Sequence, residues 1–406
     1  MGANSGRGGK GLSTNPLALP EFSQDLRDSR FVQDPYPAYD RMRALGPLIY
    51  WQEYNMPCAV SYAAANAILR DRRFGRAPME PVTHQDHVAP FYEVEAHSML
   101  ELEPPRHTRL RALVLRAFTS RRIAELAPEI EELAHRLIDA LPDTPFDLIE
   151  GFAEPLPVTI IARLLGVPEA MAPDLLRWSH AMVGMYQAGR ARADEDRAVA
   201  ATNEFVAFLR DYIEKRRTDP RDDLITHLIA AEEDGETLST DELISTCILL
   251  LNAGHEATVH SLGNAVKTLL ETGHYGAEVT EALVEECLRF DPPLHLFMRW
   301  AYEDIDVMGR LIPMGTQVAC LLGAASRCPR HWEAPERFDP GRTLKPHLAF
   351  GAGLHFCLGA PLARLELQIA LATLTARLPH LRLQATPVYA DIYHFHGLES
   401  LLVSPH

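Results

Sequence analysis

The first residue with evident chemistry is a cysteine in a glycine-rich loop, Phe350-Gly351-Ala352-Gly353-Leu354-His355-Phe356-Cys357-Leu358-Gly359. Two glycines two apart let a loop turn tightly and let another group approach the main chain. Apolar residues at helical spacing predict a helix from Leu358 to Leu378, with Pro361 in its first turn and Pro379 marking its end. Cys357 then stands at a helix N-terminus, where free N–H groups and the positive end of the dipole favour a thiolate. A lone thiolate there serves as a nucleophile or as a metal ligand. His355 is the nearest base, but nothing in the spacing brings its ring to the sulfur.

Two further groups carry chemistry. Asp241 to Thr272 is predicted to be a long core helix, with an apolar run through Leu243, Ile244 and Cys247 to Leu251. It breaks its own pattern at Asn252-Ala253-Gly254-His255-Glu256-Ala257-Thr258. A mid-helix glycine costs roughly 1 kcal/mol relative to alanine, and an acid within an apolar helix costs more unless it is satisfied. Such violations belong at functional sites, unless Glu256 simply faces solvent. In the third group, Pro104-Pro105 sets the start of a helix with His107 and Arg111 four apart on one face. That pair makes either a solvated basic face or a site for a carboxylate.

The run Phe-Gly-x-Gly-x-His-x-Cys-x-Gly resembles, without a gap, the haem-binding loop of the cytochrome P450 superfamily, the haem-thiolate monooxygenases. The resemblance extends from Pro35 to Val403. It implies that Cys357 is the axial ligand of a haem b iron, within a loop formed by Phe350, Gly351 and Gly359. It also implies that His107, Arg111, Arg299 and His355 anchor the haem propionates. Gly254 would open a groove for O₂ on the opposite side, with an acid and an alcohol relaying protons. Here the chain departs from the family: Ala257 occupies the usual threonine place, and Thr258 follows about 100° further round the helix. A local bulge that brings Thr258 into place, a water or substrate hydroxyl, and inefficient oxygen activation are the three readings. The expectation is that Glu256 delivers the proton and Thr258 or water completes the relay. Glu286-Cys287-Leu288-Arg289 resembles the family's Glu-x-x-Arg pair, buried and tied to Arg337.

The implied reaction inserts one atom of O₂ into a C–H bond of a small, apolar organic substrate. No flavin or iron–sulfur segment is present, so a separate ferredoxin and its reductase would supply electrons. The donor would dock at the basic cluster Arg109, Arg116, Arg121 and Arg122. A peroxide-driven peroxygenase and a non-oxygenating haem-thiolate protein are the alternatives.

The elements that must position these residues read as a mainly α fold with small β-sheets, and the resemblance implies haem lying between the long central helix and the Cys357 loop. Residues 1–20 are expected to form a disordered tail and 21–406 a single catalytic domain. Ala59-Val60-Ser61 is expected to be a strand, 154–165 and 202–215 helices, and 189–196 a connection. Arg73 to Leu100 reads as a loop-rich segment, either a plain surface loop or, as the resemblance implies, the loop over the pocket, and Tyr393 to Leu401 resembles a hairpin whose tip enters it. Phe91, Tyr92, Met182, Met185, Tyr186 and Phe395 are candidate pocket residues. A formal charge of -16 argues against nucleic acid as a partner. Six cysteines without a CxxC pair suit the reducing cytoplasm. No apolar N-terminal segment predicts a membrane span.

Overall fold

Long helices surround one central helix, with a sheet-rich lobe at one side. The structure, a computed structural model, describes residues 15–187, 190–233 and 235–406. The first fourteen residues of the expected tail lie outside the described residues. The expectation overreaches at its inner end: Leu19 is buried against Leu48 and Tyr50, and the Pro20 carbonyl accepts from the Tyr50 N–H at 2.9 Å. An apolar side chain with a ready groove joins the core rather than the tail.

The central helix spans Thr240–Glu271. Its start is fixed by a capping box: the Ser239 hydroxyl accepts from the Glu242 N–H at 3.2 Å, and the Glu242 carboxylate accepts from the Ser239 N–H at 3.0 Å. The helix after the cysteine is Ala360–Arg377. Pro155–Leu165 crosses the central helix and ends at Gly166, whose φ of 78° is left-handed.

One helix is much longer than expected. Arg192–Thr218 includes most of the polar run read as a connection; Gly189 lies outside the described residues. Local charge chemistry accounts for the early start. Asp194 accepts from the Ala191 N–H at 2.7 Å, and Arg192 pairs with Asp196 one turn on at 2.7 Å.

The principal sheet has six strands, in the order Glu21–Phe22, Leu48–Trp51, Met56–Ala59, Gln317–Leu321, Leu296–Ala301 and Phe74–Gly75. The second hairpin strand lies earlier than the expected Ala59-Val60-Ser61, because Ser61 is taken as the N-cap of Tyr62–Arg70. Arg73 to Leu100 contains a helix, Ala89–Glu95, as well as loop. Among the described residues, no helix is long and apolar enough to cross a membrane. All six cysteines are free.

Behind the cysteine, Arg289 and Glu286 are 1% and 4% exposed and pair through two hydrogen bonds of 2.6 and 2.9 Å. Arg289 also donates to the carbonyls of Ser326, Pro335 and Arg337 at 3.2, 2.6 and 3.2 Å. The expected side-chain partner is corrected here. Arg337 contributes only its carbonyl, and its side chain lies exposed beside Asp339. Arg342 instead reaches Glu286, at 3.4 Å. A buried carboxylate needs a second donor, and the turn at Asp339–Gly341 brings Arg342 to it. Arg342→Ala is therefore expected to destabilise the fold by about 1.5–3 kcal/mol. Arg337→Ala should stay within about 0.5 kcal/mol of the parent. Denaturant midpoints of the two variants check this, and equal losses would overturn the assignment.

Candidate active site

The Cys357 loop is held by its own backbone. Gly351 and Gly353 have φ of 68° and 73°, and a Cβ on Gly353 would lie 2.2 Å from the Leu69 carbonyl oxygen. No larger residue fits there. The Cys357 N–H donates to the Phe350 carbonyl at 3.0 Å, and the Arg364 guanidinium lies 4.6 Å over the Phe350 ring. Arg364 in turn pairs with Glu285 at 2.6 Å, joining the cysteine helix to Glu281–Phe290. Glu285 went unremarked in the sequence because its partner is 79 residues away.

Cys357 is exposed into a large interior cavity of about 1950 Å³. The expected thiolate is not favoured by the protein alone. Burial raises the thiol's pKa, and the N–H groups of Gly359 and Ala360 and the charge of Arg111 only partly offset this. Desolvation outweighs the helix terminus.

The same cavity gathers nitrogen donors from distant segments: the arginines Arg76, Arg111 and Arg299 and the imidazoles of His107 and His355 all line it. His107 is 1% exposed and its Nδ1 has no partner. Burial, then His355 and Arg111, push its pKa down to about 4. Arg299 is 2% exposed and donates only to the neighbouring Met298 carbonyl, at 2.7 Å. Burial and then Arg76 lower its pKa to about 10. Arg111 donates to the Phe356 carbonyl at 2.8 Å, and His355 pairs with Glu103 at 3.0 Å. Arg76, which no local pattern flags, pairs with Glu101 at 2.9 Å and leaves its buried Nε unpartnered. Buried guanidinium groups with unfilled donors, as at Arg299 and Arg76, call for an anion. A cavity offering such donors and a thiol suits a group with carboxylates and a metal.

On the central helix, Gly254, Glu256, Ala257 and Thr258 also line the cavity. A Cβ on Gly254 would meet Ile161 at 3.0 Å, so this glycine also lets two helices approach closely. The helix runs through this stretch as regular α-helix, without the bulge at Thr258 that was the first of the three readings. The Thr258 hydroxyl donates back to the Gly254 carbonyl at 2.8 Å. Glu256 instead faces two histidines, His180 at 3.3 Å and His260 at 3.5 Å. Burial raises its pKa, which His180 counters and Glu154 reinforces.

Of the candidate pocket residues, Phe91, Tyr92, Met185, Tyr186 and Phe395 line the cavity. Met182 does not; it is fully buried against Asn252. Much of the loop over the pocket contributes to the lining, as do Tyr393, His394 and Phe395 near the C-terminus. The surface arginines are already engaged. Arg109 pairs with Glu236 and Glu242, Arg121 with Glu125, and Arg122 with Asp222.

Glu366 was missed. It is 2% exposed at the cavity, its Oε1 has no partner, and burial raises its pKa to about 8. A signal existed: it shares the buried face of its helix with Leu362 and Ala370. The folded state holds this proton to about pH 8, whereas an unfolded glutamate releases it near 4.5. The folded state thus binds more protons between these values, and stability falls as pH rises through the window. Glu366→Gln should remove that fall, which denaturant midpoints across the window will show. An unchanged pH slope would place the proton elsewhere.

Comparison with known proteins agrees with this geometry. The family model described as Cytochrome P450 matches residues 42–281 and 276–387. Cytochrome P450 monooxygenase PikC of Streptomyces venezuelae is 38% identical over 93% of this chain and 91% of its own. Vitamin D(3) 25-hydroxylase of Pseudonocardia autotrophica is also 38% identical, over 88% of this chain and 90% of its own. Among solved structures, P450BioI in complex with an acyl carrier protein ligated with hexadec-9Z-enoic acid superposes with a TM-score of 0.87. It is 36% identical, covering 93% of this chain and 100% of that one.

Proposed function

The chain belongs to the cytochrome P450 family, a monooxygenase-type oxidoreductase, and from that premise we propose that its cavity binds haem b through Cys357 and that it hydroxylates a C–H bond of a small, apolar organic substrate. The observation that carries this reading is the meeting, along one cavity, of the Cys357 thiol with arginine and histidine nitrogens from four segments. Cys357 would hold the iron. His107, Arg111, Arg299 and His355 would meet the propionates, with Arg76 beside them. When bound, haem supplies the centre at which O₂ is reduced with two electrons and two protons, one oxygen atom going to the substrate and the other to water.

The residues of this chain do the rest. Glu256 holds a proton at its carboxylate on the cavity wall, a role favoured by its raised pKa. With no hydroxyl at Ala257, Thr258 or water completes the path; the Thr258 oxygen keeps its lone pairs while its hydrogen binds the Gly254 carbonyl. Phe91, Met185 and Phe395 exclude water and suit an apolar substrate. Hydroxylases among the relatives support attack at C–H. Residues 21–406 act as one catalytic domain in the cytoplasm. Electrons come from a ferredoxin and its reductase at the face bearing Arg109, Arg116, Arg121 and Arg122. There the donor's carboxylates exchange with the exposed pair Arg121–Glu125 and with Arg122–Asp222, each worth at most about 1 kcal/mol.

Two measurements test this. The haem-loaded protein, titrated with terpenes, steroids, fatty acids and aromatic acids, should show a saturable low-to-high-spin shift with one class. Response to none would overturn the small-molecule reading. Glu256→Gln should lower product formed per NADH by at least about tenfold, and undiminished coupling would remove Glu256 from proton delivery. Product formed from peroxide alone, with no electron donor, would favour a peroxygenase.

A further inference from the structure

One cluster of metal-binding side chains lies outside the Cys357 loop and the cations around it. His180 belongs to the helix Ala172–Val183, and His255 and Glu256 to the central helix. One donor atom from each of the three lies within 4.8 Å of the other two. His180 Nε2 is 3.3 Å from Glu256 Oε1 and 3.5 Å from Glu154 Oε1. His260 Nε2 stands 3.5 Å from the other oxygen of Glu256. The His180 and His255 rings are 5.5 Å apart.

His255 is the telling member. It is 0% exposed, and neither ring nitrogen reaches a hydrogen-bond partner, although the nearby Glu154 main chain favours its protonated form. Burial, then His180 and His260, lower its pKa to about 3, so its lone pair is free for a metal at neutral pH. A buried imidazole whose one hydrogen-bonding neighbour, the Glu154 main chain, is poorly placed is costly, and here it is set beside a second imidazole and a carboxylate. The opposite edge is open: the His180 side chain is 44% exposed.

We propose that His180, His255 and Glu256 form a site for a divalent transition metal of the Zn²⁺ class, entered from the surface past His180, whose occupancy withdraws the Glu256 carboxylate from the cavity. Two imidazoles and one carboxylate suit Zn²⁺ better than Ca²⁺ or Mg²⁺. Bonds of about 2.0–2.1 Å in a tetrahedron set ligand atoms roughly 3.3–3.4 Å apart. The His180–Glu256 edge already has that length, and the wider separations close by side-chain rotation. Three protein ligands leave the fourth position to water at the open edge. The other histidine–carboxylate cluster, Asp291, His295 and His396, is wholly buried. Its Asp291 accepts from Tyr36 and Tyr389, and its His295 pairs with Tyr39, so its capacity is largely spent.

The second half of the proposal rests on Glu256 as the proton carrier; the first does not. The test is a Zn²⁺ titration of the haem-loaded protein in competition with a chromophoric chelator. The parent should bind one Zn²⁺ per chain at this site. His180→Ala, at a half-exposed position where folding is not at risk, should weaken binding at least about tenfold, as should His255→Ala. His227→Ala, at a surface His–Asp pair, should leave it unchanged. No binding by the parent, or equal binding by His180→Ala, would overturn the site. Coupled product formation should fall with Zn²⁺ in the parent and resist it in His180→Ala. A bound metal that leaves coupling intact would overturn the withdrawal of Glu256 and leave the site standing.

Discussion

A carboxylate and a guanidinium buried together oblige a protein to supply every further hydrogen bond they need. At Glu286 and Arg289 those partners are largely main chain, from Ser326, Pro335, Arg337 and the Asp339 N–H. The pair therefore acts less as an ion pair than as a template for the segment that leads to Cys357. Leaving either charge unpaired in this environment costs several kcal/mol, so the segment has little freedom to move. Glu285, the preceding residue, extends the clamp to the cysteine helix through Arg364. The position of the sulfur is thus set by electrostatics at some distance from it.

The cavity is built on the opposite principle, of incomplete satisfaction. Arg299 and His107 are deeply buried, yet Arg299 has only a neighbouring carbonyl and His107 leaves Nδ1 unpartnered. The thiol of Cys357 and the carboxyl of Glu366 both have raised pKa values from burial. Left alone these groups would destabilise the fold. A protein carries such costs where another molecule is to remove them, which is why the cavity reads as a built site rather than a packing defect.

The central helix joins these two regimes. Its start is conventional, with a full capping box, and its apolar run fixes it in the core. Through the middle it gives up side-chain volume at Gly254 to approach Ile161. It also places Glu256 between the cavity, the buried His260 and the half-exposed His180. Glu256 is therefore addressed from both sides, by the cavity within and by His180 toward solvent. With that arrangement the proposed proton path and the proposed metal site would compete for one carboxylate.

Much of this was legible without coordinates, because the physics involved is local. The glycine loop, the cysteine at a helix start and the broken pattern at Gly254 and Glu256 each declare themselves within a few residues. Charge pairing within a turn governs the start of Arg192–Thr218, and the spacing of its residues contained that signal although the polar composition concealed it. What only the tertiary structure decided are pairings across long sequence separations and the balance of opposing electrostatic effects. The choice of Arg342 over Arg337, the arrival of Arg76 at the cavity and the meeting of His180 with Glu256 depend on how the chain returns upon itself. No spacing rule encodes that return. Whether Cys357 is held as thiol or thiolate depends on desolvation by the whole surrounding fold, which here outweighs the helix terminus that the sequence reveals.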